Sequence, residues 1–378
     1  MEAYLDNSAT TRCSERAKNK MVQILTEDYG NPSSLHNMGK TAEDYIKEAK
    51  EQIAKTLRCD EKEIIFTSGG TESNNMALIG GALANKRQGK HIITTSIEHA
   101  SVQAPLAYLK ELGYEITELS VDHDGIISLE ELRDAVREDT VLVSIMMVNN
   151  EIGAVEPVEE AAKVIKAKNP DTLFHVDAIQ AYGKFRICPK KMGIDLLSVS
   201  GHKIHAPKGI GALYIRSGLK LPPYILGGGQ ERGMRAGTEA TPQIAAFGTA
   251  AEIGSAKMAQ ATKTMAELRA HAIDRLTAEV DGLVVIGGGS PHILSISLPG
   301  YRSEVLMNFL EARGIYTSKS SACKKGGRSH VLEAIGLPAN VIDGALRISF
   351  SRYTTREDID ALCDALRDAK QSLFPSLH

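Results

Sequence analysis

A chain of 378 residues with 44 basic and 47 acidic side chains has a formal charge of −3, and 43% apolar with 24% charged residues is the balance of an ordinary globular protein. That length accommodates one large α/β body with a smaller companion, and the near-neutral charge argues against a direct nucleic-acid partner. Five scattered cysteines, Cys13, Cys59, Cys188, Cys323 and Cys363, show no C-x-x-C spacing, which argues against a disulfide framework or structural zinc site and leaves at least one thiol unpaired. No apolar run approaches about 18 residues and the first twenty residues hold no apolar signal core, so a cytoplasmic protein without a membrane span is expected.

Apolar residues at Ala42, Tyr45, Ile46, Ala49, Ile53 and Leu57 keep helical spacing and predict an amphipathic helix over 40–58. Short apolar runs with turn residues around them then predict strands at Glu63–Thr67, His91–Thr95, Glu115–Leu119, Val141–Val148, Leu173–Val176, Leu196–Val199 and Ile210–Ile215. Helical patterns over 72–87, 101–112, 128–137 and 157–168 fall between most of them. Strands alternating with helices predict a mainly parallel seven-stranded sheet covered on both faces. From about 245 the texture changes to a long helix through 280, then a strand at Ile293–Leu298, a helix over 303–313 and a strand at Leu346–Phe350. This second, α+β unit follows no Pro/Gly/Ser linker, so the boundary is expected inside a helix shared by both units. We expect a large domain over 16–255 and a small domain formed by 1–15 with 256–378.

Three segments carry chemistry. Thr67-Ser-Gly-Gly-Thr-Glu-Ser-Asn-Asn75 follows a strand and opens a helix, so it is either a phosphate cradle or an ordinary capped helix start. It matches neither the P-loop nor the dinucleotide fingerprint. Asp177 ends an apolar strand, where a carboxylate either faces a ligand crevice or caps the next helix, and Gln180 lies about one turn further on. Lys203 ends another buried strand in Ser200-Gly-His-Lys203; such a lysine is salt-bridged, or desolvated and used as a Schiff-base former. A phosphate-type loop, an acid for a pyridinium nitrogen and an imine-forming lysine together meet the binding needs of pyridoxal 5'-phosphate.

These residues stand among ten motifs in one order: Tyr4–Thr11, Gly30–His36, Thr67–Asn75, Glu98–Ala100, Val148–Gly153, the Asp177 and Gln180 pair, Ser200–Lys203, Arg235–Thr238, Ser320–Cys323 and Leu346–Ser349. In that order the chain resembles, over nearly its whole length, the fold-type I pyridoxal-phosphate enzymes of aminotransferase class V, and among them the NifS/IscS-type cysteine desulfurases. The resemblance implies removal of sulfur from L-cysteine to give alanine, with the sulfur held as a persulfide on Cys323. It implies Lys203 as the cofactor-bearing lysine and Cα base, Asp177 as partner of the pyridine nitrogen, and His99 as the ring-stacking histidine and a proton donor. Read alone, His99 would be a surface or core histidine. Gln180 is implied as partner of the phenolic oxygen, and Gly70, Thr71, the Glu72 backbone, Ser200 and His202 as the phosphate site. Asn150 and Arg347 correspond to groups that hold the substrate carboxylate, while Asn7 and Asn31 border the substrate site. Thr238 corresponds to a residue supplied across a homodimer interface.

Cys323 lies in a polar, Gly-containing stretch whose two following lysines favour its thiolate; outside its motif it would be an incidental surface thiol. Cys13, Cys59, Cys188 and Cys363 are expected to be bystanders. No resident metal is expected, transient ligation of an iron–sulfur species by Cys323 apart. Only Lys324 to Arg328 separate Cys323 from Ser329-His-Val-Leu332, fewer residues than IscS-like members carry there, and a C-terminal docking extension is expected to be missing. The resemblance implies a sulfur-acceptor protein, such as an iron–sulfur scaffold or a thiolation enzyme, without choosing between them. The rival readings are a selenocysteine lyase or another β-eliminating class V enzyme, and a sulfur-relay scaffold that has lost catalysis.

Overall fold

The computed structural model describes residues 2–319 and 327–375. Along the chain they form β1 (Ala3–Tyr4), α1 (Glu15–Thr26), α2 (Asn37–Leu57), β2 (Ile64–Thr67), α3 (Gly70–Ala84), β3 (His91–Thr95), α4 (Ala100–Glu111), β4 (Glu115–Leu119), α5 (Leu129–Ala135), β5 (Thr140–Met146), α6 (Val158–Lys168), β6 (Leu173–Asp177), α7 (Pro189–Met192), β7 (Leu196–Ser200) and β8 (Gly211–Ile215). Then follow α8 (Thr241–Glu279), β9 (Val284–Ile286), β10 (Ile293–Ser297), α9 (Ser303–Glu311), β11 (Ile315–Tyr316), β12 (Ser318–Lys319), α10 (His330–Ala334), α11 (Ala339–Asp343), β13 (Ala345–Ser349) and α12 (Arg356–Ser372).

The seven predicted strands make one sheet in the order β2-β8-β7-β6-β5-β3-β4. From β7 to β4 every neighbour is parallel, whereas β8 pairs antiparallel with both β7 and β2. Strands β5, β6 and β7 are buried at every residue, as a sheet covered on both faces requires. One consequence matters for the site: the C-terminal ends of β5, β6 and β7 lie side by side, delivering Met146, Asp177 and Ser200 to one edge.

Helix boundaries shift from the pattern for local reasons. Helix α2 starts at Asn37 rather than 40 because the His36 ring caps it, accepting from the Gly39 amide, and it stops where Arg58 turns left-handed at φ 52°. Helix α8 starts at Thr241 rather than 245, with a proline in its first turn. Helix α12 is not among the predicted elements, although Ile359, Leu362, Cys363, Leu366 and Ala369 keep helical spacing behind a Thr355–Asp358 capping box.

The second unit is a four-stranded antiparallel sheet, β12-β13-β10-β9. The chain start joins it, since β1 pairs with β11 and Asp6 bridges to Ser349. Helix α8 serves both cores. Its first half places Ile244, Ala246, Phe247 and Ala250 in the core under the large sheet, and its second half places Met265, Leu268, Ala272 and Leu276 in the core of the small one.

Candidate active site

A cavity of about 340 Å³ opens at the shared sheet edge, lined by Gly70, Thr71, His99, Asn150, Asp177, Gln180, Ser200, His202, Lys203 and Arg347 among others. Ten of the predicted site residues thus meet there. Of the rest, Cys323 lies outside the described residues, and Glu72, Asn7, Asn31 and Thr238 do not line the cavity. The Glu72 carboxylate instead accepts from Arg235 Nε at 2.8 Å and from the Ser68 amide at 2.8 Å, tying the phosphate-type loop to the 235–238 segment. The Asn7 amide donates to the Tyr4 and Ser349 carbonyls, which fixes the chain start to β13. Asn31 is exposed and caps the Ser33 amide, and Thr238 is exposed.

Lys203 closes a single 3-10 turn immediately after β7, and its Nζ donates to the Ser8 carbonyl and, at 2.8 Å, to the Ala9 carbonyl. The Tyr4–Thr11 motif therefore supplies backbone acceptors that position the lysine, a part its side chains do not reveal. The Asp177 carboxylate accepts from the Ile179 amide at 3.0 Å and from Asn74 Nδ2 at 2.8 Å. Burial pushes its pKa up, against the pull of those two donors and of His99 and Lys203.

His99 caps α4, and its tautomer follows from the bonds around it. The Ser101 amide donates to Nδ1 at 3.1 Å, so Nδ1 is an acceptor and the neutral ring carries its proton on Nε2. Ser101 Oγ, 2.8 Å from Nδ1, itself accepts from Asn74 Nδ2, which leaves its hydroxyl hydrogen for the ring. The inverted Asn74 amide would set Oδ1 against the Asp177 carboxylate, so the chain Asp177–Asn74–Ser101–His99 has one sense. Burial also depresses the His99 pKa, Lys203 and His330 adding to this and Asp177 opposing it. Because donors to Nδ1 favour the neutral ring, Ser101→Ala should raise the His99 pKa and move the acid limb of the activity profile to higher pH. An NMR titration of the His99 ring checks this; an unmoved titration refutes the role of the hydroxyl. Sequence reasoning missed Asn74 and Ser101, since Ser and Asn near a helix start read as caps.

Arg347 on β13 is 2% exposed. Its Nη2 donates to Asp6 at 2.9 Å and Nη1 to the Asn150 carbonyl at 3.0 Å, while Nε has no partner. The planar guanidinium is thus held between Asp6 and the Asn150 carbonyl at the cavity wall. Of the described thiols, burial pushes Cys59 and Cys363 up to about 12 and raises Cys13, and Cys188 lines a different cavity.

The cavity fits pyridoxal phosphate on three observations. Gln180 Oε1 is buried without a partner at its wall, where a bound group completes it. A Cβ on Gly70 would lie 2.2 Å from Ile179 Cδ1, and Gly69 has φ +152°, so the α3 start must be bare backbone that aims its amides outward. Thr71, Ser200 and His202, fit to hold an anion, line the same cavity as the buried acid Asp177.

The class-V aminotransferase family model matches residues 3–362, and the chain belongs to that family, whose cysteine desulfurase members depend on pyridoxal phosphate. Similar proteins include the cysteine desulfurase IscS of Methanosarcina thermophila, 44% identical with 98% of this chain and 92% of that protein covered. A solved NifS-like protein superposes with a TM-score of 0.94 at 40% identity, covering 99% of this chain and 100% of the other. A structure described as SspA in complex with cysteine superposes at 0.83 with 34% identity, covering 93% and 100%.

Proposed function

We infer that the protein is a pyridoxal-phosphate-dependent cysteine desulfurase. The observation that carries this is one cavity holding Lys203, Asp177, His99 and Arg347 beside a helix start built for a phosphate. When bound, pyridoxal phosphate supplies an electron sink for charge developing at the substrate Cα. The residues of the chain do the rest. Arg347 and Asn150 orient the L-cysteine carboxylate. Lys203 Nζ moves the Cα proton, and neutral His99 presents Nε2–H for proton donation. Asp177 holds a negative charge fixed at the cavity wall. Thr71, Ser200, His202 and the amides of Gly70 and Glu72 hold the phosphate.

The Cys323 thiolate takes the substrate sulfur, so that L-cysteine and the Cys323 thiol become L-alanine and a Cys323 persulfide, with no external oxidant. Supplying L-cysteine alone should give one alanine and one persulfide adduct on Cys323 per site. Cys323→Ala should lose both by about 10³-fold or more; unchanged alanine production would overturn this assignment. The persulfide then passes to an acceptor protein or small thiol.

Two copies build the enzyme in this reading. Thr238 is exposed at the end of a segment anchored on Glu72, the position from which a partner subunit would be reached. Tyr29, Leu35 and Leu226 are large apolar side chains left in solvent, as an unpartnered subunit surface would leave them.

A further inference from the structure

Ser329 stands six residues after Cys323, and it and its two neighbours each tie the chain to a different element. Arg328 Nε and Nη2 donate to the Asp343 carboxylate at the end of α11, both at 2.8 Å. Ser329 Oγ donates to Glu151 Oε2 at 2.5 Å, and the same oxygen caps α10 by accepting from the Leu332 amide at 3.2 Å. His330 Nε2 donates to the Glu98 carbonyl at 3.1 Å, one residue before His99. The Glu151–Ser329 bond is a buried one, with Glu151 7% and Ser329 3% exposed.

Glu151 sits on a turn that its neighbours hold firmly. Asn149 Oδ1 accepts from the Glu151 and Ile152 amides at 2.8 and 3.0 Å, and Asn149 Nδ2 donates to the Ile97 carbonyl at 3.0 Å. Between them Asn150 lines the active cavity and gives its carbonyl to Arg347, whereas Glu151 does not line that cavity. One turn thus presents Asn150 to the substrate side and Glu151 to α10. Burial pushes the Glu151 carboxyl up to about 7, against the Ser329 hydroxyl and the Arg347 charge. Ionised or protonated, it keeps an oxygen that accepts from Ser329. We propose that Glu151 is a positioning residue for sulfur transfer: through Ser329 it fixes the chain leaving Cys323 to the turn that carries Asn150. This rests on the desulfurase reading, in which thiol and substrate must meet in one frame, and a small misplacement of reacting groups is costly in rate.

The test separates sulfur transfer from chemistry that needs the cofactor site alone. In a single turnover of holoenzyme with saturating L-cysteine, persulfide formation on Cys323 should slow about 10- to 100-fold in Glu151→Ala. Exchange of the Cα hydrogen of L-alanine in deuterium oxide draws on Lys203, Arg347 and the cofactor but not on Cys323, and it should stay within about twofold of wild type. Glu151→Gln, whose amide oxygen can accept the same hydroxyl, should restore persulfide formation. Ser329→Ala should match Glu151→Ala, and the double variant should be no slower than either single one, as members of one bond require. Persulfide formation at the wild-type rate in Glu151→Ala, a loss that Glu151→Gln does not restore, or an equal loss of both reactions would each overturn the proposal. A wild-type enzyme that exchanges alanine but forms no persulfide would overturn the desulfurase reading itself, and the role of Glu151 with it.

Discussion

Lys203→Ala should yield a folded protein whose desulfurase activity is lost by more than about four orders of magnitude, because in the proposed reaction Lys203 serves as both the covalent anchor of the cofactor and the Cα base. The absorption near about 400 nm that a lysine–cofactor imine gives should vanish with it. The fold should survive. Lys203 Nζ donates to the Ser8 and Ala9 carbonyls, which remain in place without it, and its charge opposes protonation of Lys184, His202 and His292. Removing that charge should let the Lys184 ammonium titrate above its present value of about 7, which a chemical-modification profile against pH would register. Lys203→Arg separates the two effects: it keeps the positive charge and still loses catalysis. Activity retained in either variant would remove Lys203 from the mechanism.

The second large effect is expected at Asp177, where function and stability pull in opposite directions. Asp177→Asn keeps the shape and removes the charge, so kcat should fall about 10³-fold, the scale of losing one preorganised electrostatic partner. Stability should move the other way in cofactor-free protein. Burial raises the Asp177 pKa in the folded state, so the folded protein holds that proton more tightly than the unfolded chain does. Stability is therefore lost as pH rises through that folded pKa, and an amide, which has no proton to lose, escapes the penalty. Asn74 can invert its amide to meet the new side chain, since its Oδ1 has no present partner. Melting of the two cofactor-free proteins should show the variant ahead at neutral pH and the gap closing in acid. A variant that melts lower at neutral pH would sink this account.

The residues that the sequence made legible are those whose chemistry is tied to a strand end or a short motif. Asp177, Ser200 and Lys203 could be placed because an apolar run ending on a polar residue locates that residue at a sheet edge, and β6 and β7 are neighbours. The Asn74–Ser101 link was not legible: its members come from α3 and α4, and nothing in either helix start says that the two converge on Asp177. The Ser8 and Ala9 carbonyls were invisible for a different reason, since a backbone acceptor has no residue type to read. The bond of the Glu72 carboxylate to Arg235 was not legible either, because a place in the phosphate-type loop points to the Glu72 backbone and says nothing of its side chain.

The 39-residue α8 has a thermodynamic consequence for the whole chain. At about 1.5 Å per residue it is a rod of roughly 58 Å, and it lends a hydrophobic stripe to each of two cores. Neither core can melt alone without stripping half of that rod of its packing, and a helix so exposed gains little from propensity. Heating should therefore take both units apart in a single step whose calorimetric and van't Hoff enthalpies agree, despite a chain long enough for two independent transitions.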